Sequence, residues 1–275
     1  MRLRKAKATI RPGAPAPTDA ATAPRIQVLG VQVAAVQIED VVAQIEDWIA
    51  ARERARYVAV ANVHMVVEAS NDPVFRAVLD GADLVVPDGM PLVWLGRLQG
   101  HQLRRRVYGP ELMLEFLRRT QGRGYRHFFY GDTSDVVARM LEKLRASTSV
   151  EVAGHCSPPF RPLTPEEDRA AVAMINRSRP DVLWVALGCP KQEQWMHDHR
   201  DLVDVPVMVG VGQAFPIIAG ELRQAPALLR EHGLEWLFRL VHEPGRLWRR
   251  YLVGNSEFVM RVLLDEIVGR SSRGR

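Results

Sequence analysis

The 275-residue chain contains two cysteines, Cys156 and Cys189, far apart and without C-x-x-C spacing. That excludes a disulfide-stapled scaffold and a cysteine-built zinc site, and it suits a reducing cytoplasm. Long apolar runs are also missing. The best stretch, 205–219, is interrupted by Pro206, Gly210, Gly212, Gln213 and Pro216, short of the ~20 apolar residues that a spanning helix needs. It reads as strand plus loop. The basic start MRLRKAKATIRPGAPAPTDAATAP has no apolar core, so no secretory signal is expected. Its Pro, Ala and Thr content predicts a disordered basic arm over residues 1–25.

Several fingerprints are absent as well. No G-x-G-x-x-G or G-x-x-x-x-G-K-[ST] occurs, which counts against dinucleotide enzymes and P-loop NTPases. No D-x-D pair is present to hold a metal on a sugar nucleotide. His197 and His199 stand two apart on a predicted helix and face different sides, a poor metal geometry. The expectation is a site with no metal and no cofactor.

What is present is ordinary globular composition, 47% apolar and 25% charged, with an uneven charge. Residues 1–25 carry six basic and one acidic side chain, and residues 223–275 carry ten arginines and six acids. The net charge of +5 therefore sits at the two ends, leaving residues 26–222 at −4. An enzyme of nucleic acid would more often spread positive charge over its body, so no nucleic-acid partner is expected.

Along the chain, strand and helix patterns alternate. Residues 26–33 read as a first strand. Val41, Val42, Ile45, Trp48 and Ile49 recur at helical spacing over 39–52. Further strands are expected over 57–61, 82–86, 127–130, 150–153, 181–187 and 207–211, with helices between them. Thr164 and Glu167 form a capping box. Residues 222–267 read as largely helical. Repeated β-α units predict a doubly wound, largely parallel α/β sheet of Rossmann-like type, with ligands at the carboxyl ends of its strands.

Four strands end in polar or glycine-bearing turns: at Asn62, at Pro87-Asp88-Gly89, over Gly188–Glu193, and over Gly210–Gln213. These turns are expected to converge on one cleft. Taken alone, Pro-Asp-Gly is a common turn sequence, and that reading outweighs any other for Asp88. The alternative is a carboxylate at a strand end, poised to take a proton from an attacking hydroxyl. Gly188-Cys189-Pro190-Lys191-Gln192-Glu193 opens a helix whose free N–H groups suit a phosphate or sugar oxygen, although an ordinary βα loop reads the same way. In the C-terminal part Trp236, Phe238, Trp248, Tyr251 and Phe258 mingle with Arg239, Arg246, Arg249, Arg250 and Arg261. Helices docked on the core and a segment lying at an anionic membrane surface both account for that mixture.

Seven segments in order carry a resemblance: A-N-V-H-M-V-V-E-A (61–69), A-D-L-V-V-P-D-G-M (82–90), R-R-V-Y-G-P-E-L (105–112), S-P-P-F-R-P-L-T (157–164), G-C-P-K-Q-E (188–193), G-V-G-Q-A-F (210–215) and G-L-E-W-L-F-R-L-V-H-E-P-G-R-L-W-R-R-Y (233–251). Together they resemble the WecG/TagA/CpsF glycosyltransferases, and the 157–164 and 246–251 stretches look most like exopolysaccharide-assembly members. The resemblance implies inverting transfer of a sugar from a UDP-sugar donor to a polyprenyl-diphosphate-linked sugar. The sugar would be N-acetylmannosamine, its uronic acid or glucose, and no metal would be needed. It implies a catalytic core over 26–232 and a helical appendage over 233–275 that docks on the cytoplasmic face of the membrane. It places the base on Asp88, polar catalytic partners on Asn62 and Gln192, and diphosphate contacts on Arg239, Arg246 and Arg249. Around them His64, Gly89, Arg106, Gly109, Gly131, Gly188, Pro190, Lys191, Glu193 and Gly212 are the expected substrate-binding positions. Val60 and Pro216 stand where many members carry Thr and Asp, and Gln224 stands where part of the family carries Arg. A catalytically weakened membrane-binding module therefore remains an alternative, and homo-oligomerisation is left open.

Overall fold

The computed structural model describes residue 20, residues 22–53 and residues 55–273. Most of the expected N-terminal arm, 1–19, lies outside the described residues, as do the side chains of 246, 250 and 266–273. Among the described residues, eight strands run β1 Arg25–Val28, β2 Val31–Ala34, β3 Arg56–Ala61, β4 Leu84–Pro87, β5 Arg126–Gly131, β6 Glu151–Cys156, β7 Val182–Ala186 and β8 Val207–Gly210. The last six form one parallel sheet in the order β4-β3-β8-β7-β5-β6. Helices pack on both of its faces, so the fold is the doubly wound α/β sheet expected from the alternating pattern.

The inner strands are apolar at nearly every position, as burial on both faces requires. In β3, Val58 and Val60 face one layer, while Ala59 and Ala61 face the other. The first layer holds α1 (Ile38–Ala51), whose Val41, Val42, Ile45, Trp48 and Ile49 are all buried. The second holds α2 (Val63–Asn71) and α3 (Pro73–Asp80), started by Asn62 and Asp72 as N-caps. Each cap side chain accepts a backbone N–H that the helix leaves unpaired.

Two expectations are corrected. The segment 26–33 is not one strand of the sheet but the antiparallel hairpin β1–β2. Leu29 and Gly30 both have positive φ, 49° and 83°, which is the geometry a two-residue hairpin loop demands. The helical C-terminal part is not continuous either. After α4 (Met90–Leu98), α5 (Gly109–Arg119), α6 (Ser134–Ser147), α7 (Pro165–Ser178), α8 (Lys191–His199) and α9 (Ala214–Ala219), it breaks into short pieces. These are α10 (Ala227–Glu231), α11 (Glu235–His242), α12 (Pro244–Trp248), a π-helical turn (Arg249–Val253) and α13 (Gly254–Arg273). Gly233 and Pro244 lie at two of the breaks, as a missing side chain and a missing N–H favour.

The α13 helix returns to the core. Phe258 is 5% exposed there, and Arg261 reaches the Ser70 hydroxyl at 2.7 Å. That return carries α11 and the π-helical turn across the carboxyl edge of β3 and β4.

Candidate active site

Asp88 follows the last residue of β4. Its backbone N–H donates to the Ala61 carbonyl at 2.6 Å, and Val107 N–H donates to the Pro87 carbonyl at 2.7 Å. These bonds extend the ladder past the strand and fix the carboxylate at the sheet's carboxyl edge. Gly89 next to it has φ 145°, a conformation that side chains rarely adopt, so the turn that aims Asp88 depends on glycine. The pocket it faces is lined by Asn62 and His64 from the start of α2, and by Arg106 and Tyr108 from the loop before α5. Glu235, Trp236, Arg239, Tyr251 and Asn255 supply the opposite wall. Asn62 also borders the pocket while its Oδ1 accepts from Met65 N–H at 3.2 Å.

The Asp88 side chain is 18% exposed, and its Oδ1 has no hydrogen-bond partner among the described residues. Burial pushes its carboxyl up to about 7; Arg106 opposes the rise, Glu235 adds to it, Arg239 opposes it and Glu111 adds to it. A carboxyl that gives and takes a proton near neutrality is suited to general base work. Arg106 lies 3.7 Å from Asp88 Oδ1, is ion-paired to Glu235, and stacks over the Tyr108 ring at 4.2 Å. Arg239 carries a buried Nη2 that also lacks a partner among the described residues. A buried, unmatched guanidinium N–H is costly unless an anion meets it.

A second pocket lies beyond β5, β6 and β7, where the chain's crossovers reverse direction. Tyr130, Asp132, Phe160, Arg161, Lys191 and Trp195 line it. Tyr130 and Trp195 pack with ring centroids 4.5 Å apart, and the Tyr130 hydroxyl and Trp195 Nε1 are both buried without partners among the described residues. Phe160 is 81% exposed at the rim. The exposed Phe160 face, unmatched donors and a lysine at a helix start suit a flat ring bearing phosphate. Among the described residues, no group of three His, Cys, Asp or Glu side chains is placed to hold a metal ion.

The family model "Glycosyl transferase WecG/TagA/CpsF family" matches residues 26–272. This chain belongs to that family. Two relatives are similar over most of their length. Both are named N-acetylglucosaminyldiphosphoundecaprenol N-acetyl-beta-D-mannosaminyltransferase. The Bacillus spizizenii protein is 31% identical over 231 residues, covering 84% of this chain and 87% of its own. The Bacillus subtilis protein is 30% identical over 211 residues, covering 76% and 79%. The chain is accordingly a glycosyltransferase.

Within this glycosyltransferase the expected site residues fall into separate groups. Asn62, His64, Asp88, Gly89, Arg106 and Arg239 share the first pocket, while Lys191 lines the second. Of the four turns expected to converge, those at Asn62 and Asp88 border the first pocket, Lys191 borders the second, and the Gly212 turn borders neither. Gln192 lines neither. It is 3% exposed, with Nε2 donating to Glu193 Oε1 at 2.6 Å and Oε1 accepting from Gly212 N–H at 3.1 Å. In this structure it fixes the Gly212 turn. Glu193 is fully buried beneath it, and burial raises its carboxyl to about 7. Gly188 and Pro190 shape the turn that leads into α8.

Gly131 and Gly109 face backbone: a Cβ on Gly131 would strike the Ala186 carbonyl, and one on Gly109 would lie 2.9 Å from the Val211 carbonyl. Close packing explains both. Arg249 lies over the exposed Trp248 ring at 5.3 Å, outside the residues that line the Asp88 pocket. The Arg246 side chain lies outside the described residues. Sequence reasoning did not single out Tyr108, Glu235, Tyr130 or Trp195. An acid opening an otherwise basic, aromatic segment was the available signal for Glu235.

Proposed function

We propose that this glycosyltransferase moves N-acetylmannosamine from UDP-N-acetylmannosamine to a polyprenyl-diphosphate-linked N-acetylglucosamine, with inversion and without a metal. The observation that carries the proposal is the Asp88 carboxylate: strand-end, with an unpartnered oxygen and a raised pKa, across a pocket from Arg239. Asp88 takes the proton from the acceptor hydroxyl as that oxygen attacks the anomeric carbon. The bond to the UDP oxygen breaks on the opposite face, which gives inversion. Asn62 orients the sugar.

The departing diphosphate needs positive charge at the moment the bond breaks. Arg239 provides it with a planar fork that matches phosphate oxygens, in place of a metal ion. Lys191 holds donor phosphate from the second pocket, where the exposed Phe160 ring offers a face to the nucleotide base. The choice of N-acetylmannosamine follows the names of the two relatives.

An exposed apolar surface on the C-terminal helices supports the same reading. No described helix is long and apolar enough to span a bilayer. Leu252 (52% exposed), Met260 (59%) and Leu264 (55%) nevertheless present apolar surface on the C-terminal helices, which also carry the exposed Arg249. Such a surface suits the headgroup layer of the cytoplasmic leaflet, with arginines on lipid phosphate.

The test is UDP release and product anomer with UDP-N-acetylmannosamine and a synthetic N-acetylglucosamine-diphosphate-lipid, in the presence of EDTA. Acceptor-dependent UDP release and a β-linked product are expected. Absence of acceptor-dependent release with the N-acetylmannosamine, N-acetylmannosaminuronic acid and glucose donors would favour a membrane-binding module instead.

A further inference from the structure

The Arg106 guanidinium stands between two carboxylates and is bonded to only one. Its Nη2 is paired with Glu235, while Nη1 stays 3.7 Å from Asp88 Oδ1. A charge-assisted hydrogen bond would be about 2.7–2.9 Å long, so the Asp88 contact is open. Glu235 is further held by the Tyr108 hydroxyl at 3.5 Å, and Tyr108 in turn meets the Gln224 side chain. All three ionic side chains are shielded, with exposures of 18% for Asp88, 14% for Arg106 and 13% for Glu235.

These residues come from different parts of the molecule. Asp88 and Arg106 are fixed to the sheet edge by backbone hydrogen bonds at Asp88 and Val107. Glu235 is the first residue of α11, a helix with no buried residue. If α11 lifts away, Arg106 loses its bonded carboxylate and the remaining acid beside it is Asp88.

We propose that Glu235 is a positioning residue: seated, it draws the Arg106 guanidinium off Asp88 and leaves that oxygen open to the acceptor hydroxyl. With the C-terminal helices unseated, Arg106 closes on Asp88 and silences it. The proposal rests on the reading of Asp88 as the base. It makes the core's own arginine the off-switch and the membrane-facing segment the release.

The other titratable groups facing Asp88 do not replace Glu235. His64 borders the pocket from α2, and Glu111 acts from α5 while paired to Arg230 at 2.6 Å. Arg239 on α11 opposes Glu235 in sign. Tyr108 is held above its ordinary value by burial, and Tyr251 lines the far wall.

The experiment measures kcat against pH for the full-length wild type, Glu235→Gln and Glu235→Asp, with UDP-N-acetylmannosamine and the synthetic lipid acceptor. Glu235→Gln removes the charge that holds Arg106, so the acid limb of kcat should fall by about one pH unit, with kcat at pH 8 about 10-fold lower and donor KM within about twofold. Glu235→Asp, an acid one methylene shorter, should place the limb between the two. An unmoved limb in whichever variant folds overturns the proposal. Asp88→Asn run alongside separates the failures. Retained turnover there would sink the base assignment itself, whereas an inactive Asp88→Asn with an unmoved Glu235→Gln limb would sink Glu235's role alone.

Discussion

Asp88 and Lys191 both sit where a parallel strand gives way to a helix, yet the pockets they line depend on different parts of the chain. The Lys191 pocket is complete within residues 130–195, all on β5, β6, β7 and the turns and helix that follow them. The Asp88 pocket takes Gly233, Glu235, Trp236, Arg239, Tyr251 and Asn255 from the C-terminal helices. The first is set by the sheet. The second exists only while short, half-exposed helices stay seated, and such elements open at lower free energy than a core. In this reading donor recognition belongs to the stable part, and chemistry waits on the part that meets the membrane.

Arg239→Ala should break the comparison on the chemical side. Removing one preorganised cation from the departing diphosphate should lower kcat about 100-fold while donor affinity, read by titration with UDP, changes little. Lys191→Ala should act on the other side. Loss of one charged contact to donor phosphate should raise donor KM about 10-fold with kcat largely kept. Equal effects of both substitutions on KM and kcat would show one continuous site rather than two.

The smallest expected effect is on stability. Glu193 is buried, and its folded pKa of about 7 lies above the 4.5 of a free carboxyl. The folded state therefore binds more protons than the unfolded chain between those values, and stability falls as pH rises from 4.5 through 7. Glu193→Gln removes that penalty, so Tm at pH 8 should rise by about 2–4 °C, with the gain gone near pH 4. A gain independent of pH would place the cause elsewhere than ionisation.

Much of the fold was legible because its signals are local. The spacing of Val41, Ile45, Trp48 and Ile49, the Thr164–Glu167 capping box and the apolar strands all report on neighbours a few residues away. The hairpin at Leu29-Gly30 was not, because Leu29 with positive φ gives no turn signal of its own. Asn62 and Asp88 could be brought together from sequence, since both end adjacent parallel strands. The separation of Asp88 from Gln192 could not. It depends on a side chain folding back to Glu193 and Gly212 rather than outward. Glu235 stands out as an acid in a basic segment, but its pairing was illegible: its partner Arg106 is 129 residues away, and no periodicity links them.

The most direct test of the central claim is Asp88→Asn in the full-length protein, read for turnover and for UDP binding in the same preparation. The account predicts turnover lowered by about 10²–10⁴-fold, the range of a lost general base, with UDP affinity unchanged because the Lys191 pocket is untouched. Near-normal turnover in a folded Asp88→Asn variant would contradict it.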